Sequence, residues 1–275
     1  MSGTLTLVPT PIGNLSDISP RCRQALEGAD FIAAEDTRVT LKLLNHLEIK
    51  KPLVSYYEHN KEFSGKKIVE RILAGESCAQ VSDAGSPAIS DPGEDLVRLC
   101  AQSGITVTAI PGPCAAITAL SISGLPTGRF TFEGFLSTTK KNRAAHLQSL
   151  QKEQRTMIFY EAPHKLTATL ADLEKAFGGE RRISLCRELT KLHEEVLRMT
   201  LAEAVAYYTE QSPRGEYVLI VEGAPQEQKA ETSMETALAR VTALIEGGSS
   251  KKDAVRQVAQ ETGLPKNALY DASIR

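Results

Sequence analysis

Along the first hundred residues, short apolar runs alternate with segments whose apolar positions recur at helical spacing. Leu5–Val8 reads as a buried strand and is followed by a turn rich in Pro, Gly and Asn. Ser19 before Pro20 supplies the cap and first-position proline that open a helix. Phe31–Ala34 reads as a strand, and Thr37–Leu47 carries leucines at i, i+3, i+4 spacing. The alternation continues through a strand at Leu53–Tyr57, a helix at Lys66–Leu73 and a strand at Cys78–Val81. Asp91-Pro92 opens a helix to about Ala101, and Ile105–Ile110 reads as another strand. Strands alternating with helices predict crossover units and a largely parallel sheet, an α/β fold.

Beyond Gly112 the pattern loosens. Strands are expected at Phe130–Gly134, Met157–Tyr160, Ile183–Cys186, Glu195–Met199 and Tyr217–Val221, with helices at His164–Phe177 and Leu201–Tyr208. Lys140, Lys141 and Arg143 read as a polar loop. More strands neighbour one another here, which predicts a mixed sheet. Pro111-Gly112-Pro113 marks a domain boundary and Ala224–Glu231 a linker, giving α/β domains at 1–112 and 113–225. A small helical tail domain follows at 230–275, with helices at Met234–Ile245 and Lys251–Thr262 and a turn at Gly263-Leu264-Pro265.

Composition narrows the function classes. The chain has 275 residues with 32 basic and 34 acidic side chains, so no general basic coat for nucleic acid exists, although a local patch can. The longest uncharged stretch, Leu99–Gly128, contains Pro111, Gly112, Pro113, Gly124 and Pro126 and cannot be one apolar helix; no membrane partner is expected. Met1–Thr10 lacks a basic region followed by a long apolar segment, so no secretory signal is expected. Five scattered cysteines, with no Cys-x-x-Cys pair and no histidine cluster, read as reduced thiols in a cytoplasmic protein without a metal.

In a parallel sheet, ligands bind beyond the carboxyl ends of the strands. Three loops there are rich in Gly and Pro: Thr10–Asn14, Ser82–Pro87 and Pro111–Ala115. Glycine lets a ligand approach the backbone and proline fixes the turn; any one loop alone reads as an ordinary tight turn, but three on one edge point to a site. Gly-x-Gly-x-x-Gly, a P-loop, His-Glu-x-x-His and Gly-x-Ser-x-Gly are all missing. Ser64-Gly65-Lys66-Lys67 reads only as a helix start. Glu35-Asp36-Thr37-Arg38 and the stretch Arg187–Glu195 follow strands; a capped helix and a solvated loop explain them as well as chemistry does. His193 has no partners for ligation.

Several motifs in fixed order then carry a resemblance. They are Thr10-Pro11-Ile12-Gly13-Asn14-Leu15, Glu35-Asp36-Thr37-Arg38, Val81-Ser82-Asp83-Ala84-Gly85 and Ile89-Ser90-Asp91-Pro92-Gly93. Pro111-Gly112-Pro113, Phe159-Tyr160-Glu161 and Cys186-Arg187-Glu188-Leu189-Thr190-Lys191 continue the series. Over roughly residues 4 to 223 the chain resembles the ribosomal RNA small subunit methyltransferase I family, and its tail resembles that family's small C-terminal domain. The resemblance implies a two-domain tetrapyrrole-methylase-like fold with a parallel N-terminal and a mixed C-terminal sheet. It further implies S-adenosylmethionine in the cleft between the domains, a homodimer, and 2′-O-methylation of a cytidine ribose in 16S rRNA at the decoding centre.

Carried onto matching positions, the donor contacts implied are Pro9, Asp83, Gly85, Ser86, Pro87, Ile89, Cys114, Ala115, Phe159, Tyr160 and Leu189. Cys114 stands where the family usually has serine, so a contact there falls to its backbone N–H. A ribose hydroxyl is a weak nucleophile, which makes Glu188 or Glu35 candidate bases and Arg38 and Lys191 candidate stabilisers of charge. Asn14, Arg38, Lys140, Lys141, Arg143 and Lys191 are candidate RNA contacts. The tail, with Gly263 and Tyr270, reads as a helix-turn-helix piece that either docks RNA or packs at a dimer. A same-fold enzyme acting on a small tetrapyrrole or a protein side chain, and a non-catalytic RNA-docking module, are the alternatives.

Overall fold

A computed structural model describes residues 3–225 and 233–274. Two compact units divide the chain, Met1–Ala224 and Pro225–Arg275. Part of the linker expected at Ala224–Glu231 lies outside the described residues.

The first unit contains two five-stranded sheets. Strands β1 (Thr4–Leu7), β2 (Phe31–Ala34), β3 (Leu53–Ser55), β4 (Cys78–Val81) and β5 (Thr106–Ala109) form the first, in the order β3-β2-β4-β1-β5. Every pairing in it is parallel. Helices α1 (Pro20–Gly28) and α2 (Thr37–His46) cover one face around Leu26, Ile32, Leu44 and Val81. On the other face, α3 (Lys61–Leu73) and α4 (Gly93–Gln102) pack around Phe31, Ile68, Ile72 and Leu96. Covered on both sides, β2 and β4 are buried at every position, which is why they read as unbroken apolar runs. Ser19 caps α1 as expected, accepting from the Cys22 N–H.

The second sheet comprises β6 (Phe130–Phe135), β7 (Thr156–Glu161), β8 (Arg182–Arg187), β9 (Glu195–Thr200) and β10 (Tyr217–Val221), ordered β6-β7-β10-β8-β9. Only β6 and β7 run parallel, so the sheet is mixed. Helix α5 (Ala115–Ile122) packs on one face through Ala116, Ala119 and Leu120. Side chains of α6 (Lys140–Ser149), α7 (Pro163–Phe177) and α8 (Leu201–Glu210) build the core on the other. The boundary expected at Gly112 falls between β5 and α5.

Three elements differ from the pattern reading. Lys140, Lys141 and Arg143 lie in a helix, not a loop; α6 buries only Leu147 fully and has no side-chain cap, so it shows no amphipathic stripe. Helix α5 was not expected, because its apolar residues surround the axis and leave no polar face to set a period. Ser64-Gly65-Lys66-Lys67 is the interior of α3, which starts at Lys61. Gly65 packs closely there: a Cβ would lie 2.9 Å from Leu99 Cδ1.

Among the described residues the second unit has three helices, α9 (Met234–Glu246), α10 (Lys251–Thr262) and α11 (Lys266–Ala272). Ala237, Val241, Ala254, Val255, Val258 and Leu269 make its core. Ser233 and Ser250 cap the first two helices, and Gly263 ends α10 in the left-handed conformation, φ +77°.

Candidate functional site

The carboxyl ends of β1, β2, β4 and β5 lead into four loops that share one edge of the first sheet. Thr10 and Gly85 exchange two backbone hydrogen bonds of 3.0 Å, tying the first loop to the third. The Ser86 hydroxyl donates to the Pro113 carbonyl at 2.9 Å and ties the third to the fourth. Gly85 adopts φ +84°, and a Cβ there would meet Ile12 at 3.3 Å. At Gly112 a Cβ would come within 2.6 Å of the Pro9 ring, so the β1 and β5 loops touch through a glycine.

The second sheet supplies the facing wall. Helix α5 begins at its edge with Cys114 as cap residue, and the thiol makes no capping bond. Instead the Tyr160 hydroxyl, at the end of β7, accepts from the Ala116 N–H at 3.1 Å. Burial pushes the Tyr160 phenol up to about 12. Its ring meets Phe132 and Phe135 edge-on, at 5.1 and 5.5 Å between centroids.

The loop after β8 joins the two walls. Glu188 and Thr190 both hold left-handed backbone, φ 51° and 66°. Lys191 Nζ binds Glu188 Oε1 and Glu216 Oε2, each at 2.9 Å, and Glu188 Oε1 also accepts from the Glu216 N–H. Gly13 of the first loop lies against this clasp, since a Cβ there would reach Lys191 Cγ at 2.5 Å. Among the described residues, four of the five non-glycine positions with positive φ (Ala88, Ser90, Glu188, Thr190) belong to loops bordering the cleft. Strained backbone of this kind persists where surrounding structure over-determines it.

The cleft measures about 530 Å3, the size of a small-molecule site. Among the described residues its charged lining is mostly acidic: Glu35, Asp83, Asp91, Glu161 and Glu216, with Lys191 the one cation. Burial, then the charges of Asp83 and Asp91, raise the Glu35 carboxyl above the usual glutamate range. Asp91 is raised by burial even though the Ala88 and Gly93 N–H groups donate to it at 3.0 and 2.7 Å. Glu188 goes the other way, lowered first by its bond from Lys191. Such a cleft suits a ligand of nucleoside size that carries positive charge.

Of the residues singled out from the sequence, Asp83, Gly85, Ser86, Ile89, Cys114, Ala115, Tyr160, Leu189, Glu35 and Lys191 line this cleft together. Pro9 and Pro87 are buried behind the lining and shape its loops. Phe159 is fully buried in the core on the α7 side, which leaves only its backbone for a ligand. Glu188 stands behind the lining in the clasp with Lys191. Arg38 grips Asp36 with two bonds, 3.0 and 2.7 Å, on the exposed start of α2 and holds that carboxyl down at about 2. Asn14 caps a short 3-10 turn at Leu15–Asp17. Lys140 and Lys141 are exposed, whereas Arg143 is tied to Asp172 at 2.5 Å and Thr169 at 2.7 Å, away from the cleft. Glu161, Asp91, Glu216 and Phe135 also line the cleft, and none was singled out. Asp91 and Glu161 stood inside quoted motifs; Glu216 and Phe135 sent no local signal.

Comparison with known proteins follows the same outline. The sequence profile of the tetrapyrrole (corrin/porphyrin) methylases matches residues 4–205, and that of the RsmI C-terminal HTH domain matches residues 232–274. Ribosomal RNA small subunit methyltransferase I of Synechocystis sp. (strain PCC 6803) is 48% identical over 272 residues, covering 99% of this chain and 98% of that one. The protein of the same name from Halalkalibacterium halodurans is 49% identical over 272 residues, covering 98% and 94%. The crystal structure of uroporphyrin-III C-methyl transferase from Thermus thermophilus, complexed with S-adenyl homocysteine, shares the fold. It superposes with a TM-score of 0.56 at 17% identity, over 80% of this chain and 97% of that one.

Proposed function

Because the chain belongs to the tetrapyrrole (corrin/porphyrin) methylase family and, along nearly its whole length, to the ribosomal RNA small subunit methyltransferase I family, we propose that it methylates 16S rRNA. The donor is S-adenosylmethionine and the acceptor the ribose 2′-hydroxyl of a cytidine at the decoding centre. One observation carries this reading: glycine-open loops of a parallel sheet and a tyrosine-capped helix of a second sheet enclose one acidic cleft. The protein works in the cytoplasm as a homodimer, on RNA within the small ribosomal subunit. No helix among the described residues is long and apolar enough to cross a membrane.

The lining fits the donor. Gly85 leaves open a space that a Cβ would fill against Ile12, and the carboxylates complement a sulfonium cation. Asp83, Gly85, Ser86 and Ile89 would hold it from one side, and Ala115, Tyr160, Leu189 and the Cys114 backbone from the other. When bound, S-adenosylmethionine supplies a methyl group already activated for transfer, so the protein's task is mainly placement.

Glu35 is the better proton acceptor of the two candidates. It lines the cleft, and its raised carboxyl is nearer the basicity a general base needs. Glu188 is committed to Lys191 and the Glu216 N–H, so it orders the loop that carries Leu189. Lys191 faces the cleft and serves the developing charge or a phosphate. Asn14, Arg38, Lys140 and Lys141 lie on exposed ground where an RNA backbone can be met. Arg143 is withdrawn into its pair with Asp172 and takes a structural part.

The deciding test is transfer of a labelled methyl group to small subunits isolated from cells lacking the enzyme, with donor binding followed by calorimetry. Label on a cytidine 2′-oxygen is expected. Donor binding with label appearing instead on a tetrapyrrole or a protein side chain would refute the RNA reading. Absence of donor binding would refute the enzyme reading in favour of an RNA-docking module.

A further inference from the structure

The proposed reaction needs RNA, yet the cleft by itself is a poor place to attract it. Carboxylates dominate its charged lining, and phosphates are drawn by cations. A second cavity, a groove of about 610 Å3, opens between α6 and α7 on the other face of the second sheet. Lys140, Ala144, Gln148 and Gln151 line it from one side, and Ala168, Asp172, Lys175 and Ala176 from the other. Both sets follow helical spacing, so facing stripes of the two helices form its walls. The three alanines leave the space between those walls open. Arg143 also lines the groove, but its guanidinium is spent on Asp172 and Thr169. Lys140 and Lys175 are exposed and open to a ligand, with the amides of Gln148 and Gln151 beside them.

This groove starts close to where the cleft ends. Strands β6 and β7 run parallel with Phe135 paired to Tyr160, and both residues line the cleft. Helix α6 begins at Lys140, five residues after Phe135, so at most about 18 Å of chain separates the two sites. We propose that the groove holds the sugar-phosphate backbone of the RNA segment next to the target nucleotide. Lys140 and Lys175 pair with phosphates, and the amides of Gln148 and Gln151 donate to phosphate or ribose oxygens. An acidic protein segment suits the groove less well, because a protein partner binds through large apolar anchors. Among the described residues the groove's one large apolar lining residue is Leu147, which is buried in the core. The assignment rests on the rRNA reading for the identity of the strand.

The test uses the full chain and small subunits isolated from cells lacking the enzyme. In filter binding over a salt series, Lys175→Ala should bind more weakly than the wild type. Its slope of log affinity against log salt should be smaller by about 1. Lys175→Arg keeps the cation in the last turn of α7 and should behave as the wild type. Lys175→Glu should weaken binding further. Lys66→Ala, which removes an exposed cation of α3, should leave slope and affinity at the wild-type values. In methyl transfer, Lys175→Ala should raise the KM for subunits several-fold at unchanged kcat, with donor binding by calorimetry also unchanged. Ultraviolet crosslinking of the bound wild type, read by mass spectrometry, names the occupant. RNA-linked peptides are expected from residues 140–151 and 168–176. A Lys175→Ala protein with the wild-type slope and KM overturns the assignment. A raised KM with RNA adducts only outside the groove hands the groove to a ribosomal protein and overturns it equally. A wild type that binds the donor but neither binds nor methylates small subunits overturns the rRNA reading as well, so the two failures are told apart.

Discussion

The Tyr160 hydroxyl caps the helix that Cys114 begins: it accepts from the Ala116 N–H at 3.1 Å, although the two residues are 44 positions apart. A thiol is a poor acceptor, so the first turn of α5 depends on a side chain from the neighbouring strand. Tyr160→Phe should therefore cost about 1 kcal/mol of stability, as the loss of a helix cap does. Cys114→Ser should restore a local acceptor and recover part of that loss in the double variant. Urea denaturation of the four proteins measures both effects.

Glu35 ties stability to pH through its raised carboxyl. The folded value lies above the usual 4.5, so the protonated form favours folding; that contribution is full below about 4.5 and is lost as pH rises through the folded value. Glu35→Gln, neutral throughout, should be more stable than the wild type at neutral pH, and the difference should vanish in acid. Thermal melts across pH 4 to 8 would show it.

In its proposed role the same carboxyl should set the acid limb of turnover. The proposed base must be ionised, so kcat/KM should fall at a pH above the ordinary glutamate range. Asp83→Asn removes a like charge while leaving an oxygen for the Asp36 N–H, and should move that limb to lower pH. Glu35→Gln should lower kcat by about 10²- to 10⁴-fold. Glu188→Gln should cost less, because it loosens the Lys191 clasp instead of removing the base. Donor affinity, measured separately, should stay near normal in Glu35→Gln.

Two cations on α6 should behave differently. Lys140→Ala should weaken binding to subunits and reduce the slope of log affinity against log salt by about 1. Arg143→Ala should leave that slope unchanged and lower stability by about 1–3 kcal/mol, since it strips partners from Asp172 and Thr169. Filter binding over a salt series, with parallel denaturation curves, separates the two.

How much of this could be read from the chain depended on what each residue answers to. The first sheet was legible because β2 and β4 are buried on both faces and leave unbroken apolar runs. The three Gly/Pro loops were legible because close approach and fixed turns demand those residue types locally. Helix α5 escaped because it is apolar nearly all round, and α6 because a single leucine anchors it. Glu216 and Phe135 reach the cleft only through the pairing of the second sheet, which leaves no mark in their neighbouring residues. The opposite states of Glu35 and Glu188 likewise arise from partners distant in sequence, so composition alone left them as equal candidates.

The left-handed backbone at Thr190 should set heat resistance against speed. Glycine there would relieve about 1 kcal/mol of local conformational cost while freeing the segment that carries Leu189. Selection for thermal hardiness alone should thus drift toward glycine at that position and yield sturdier, slower proteins, whereas selection for turnover should retain the cramped threonine.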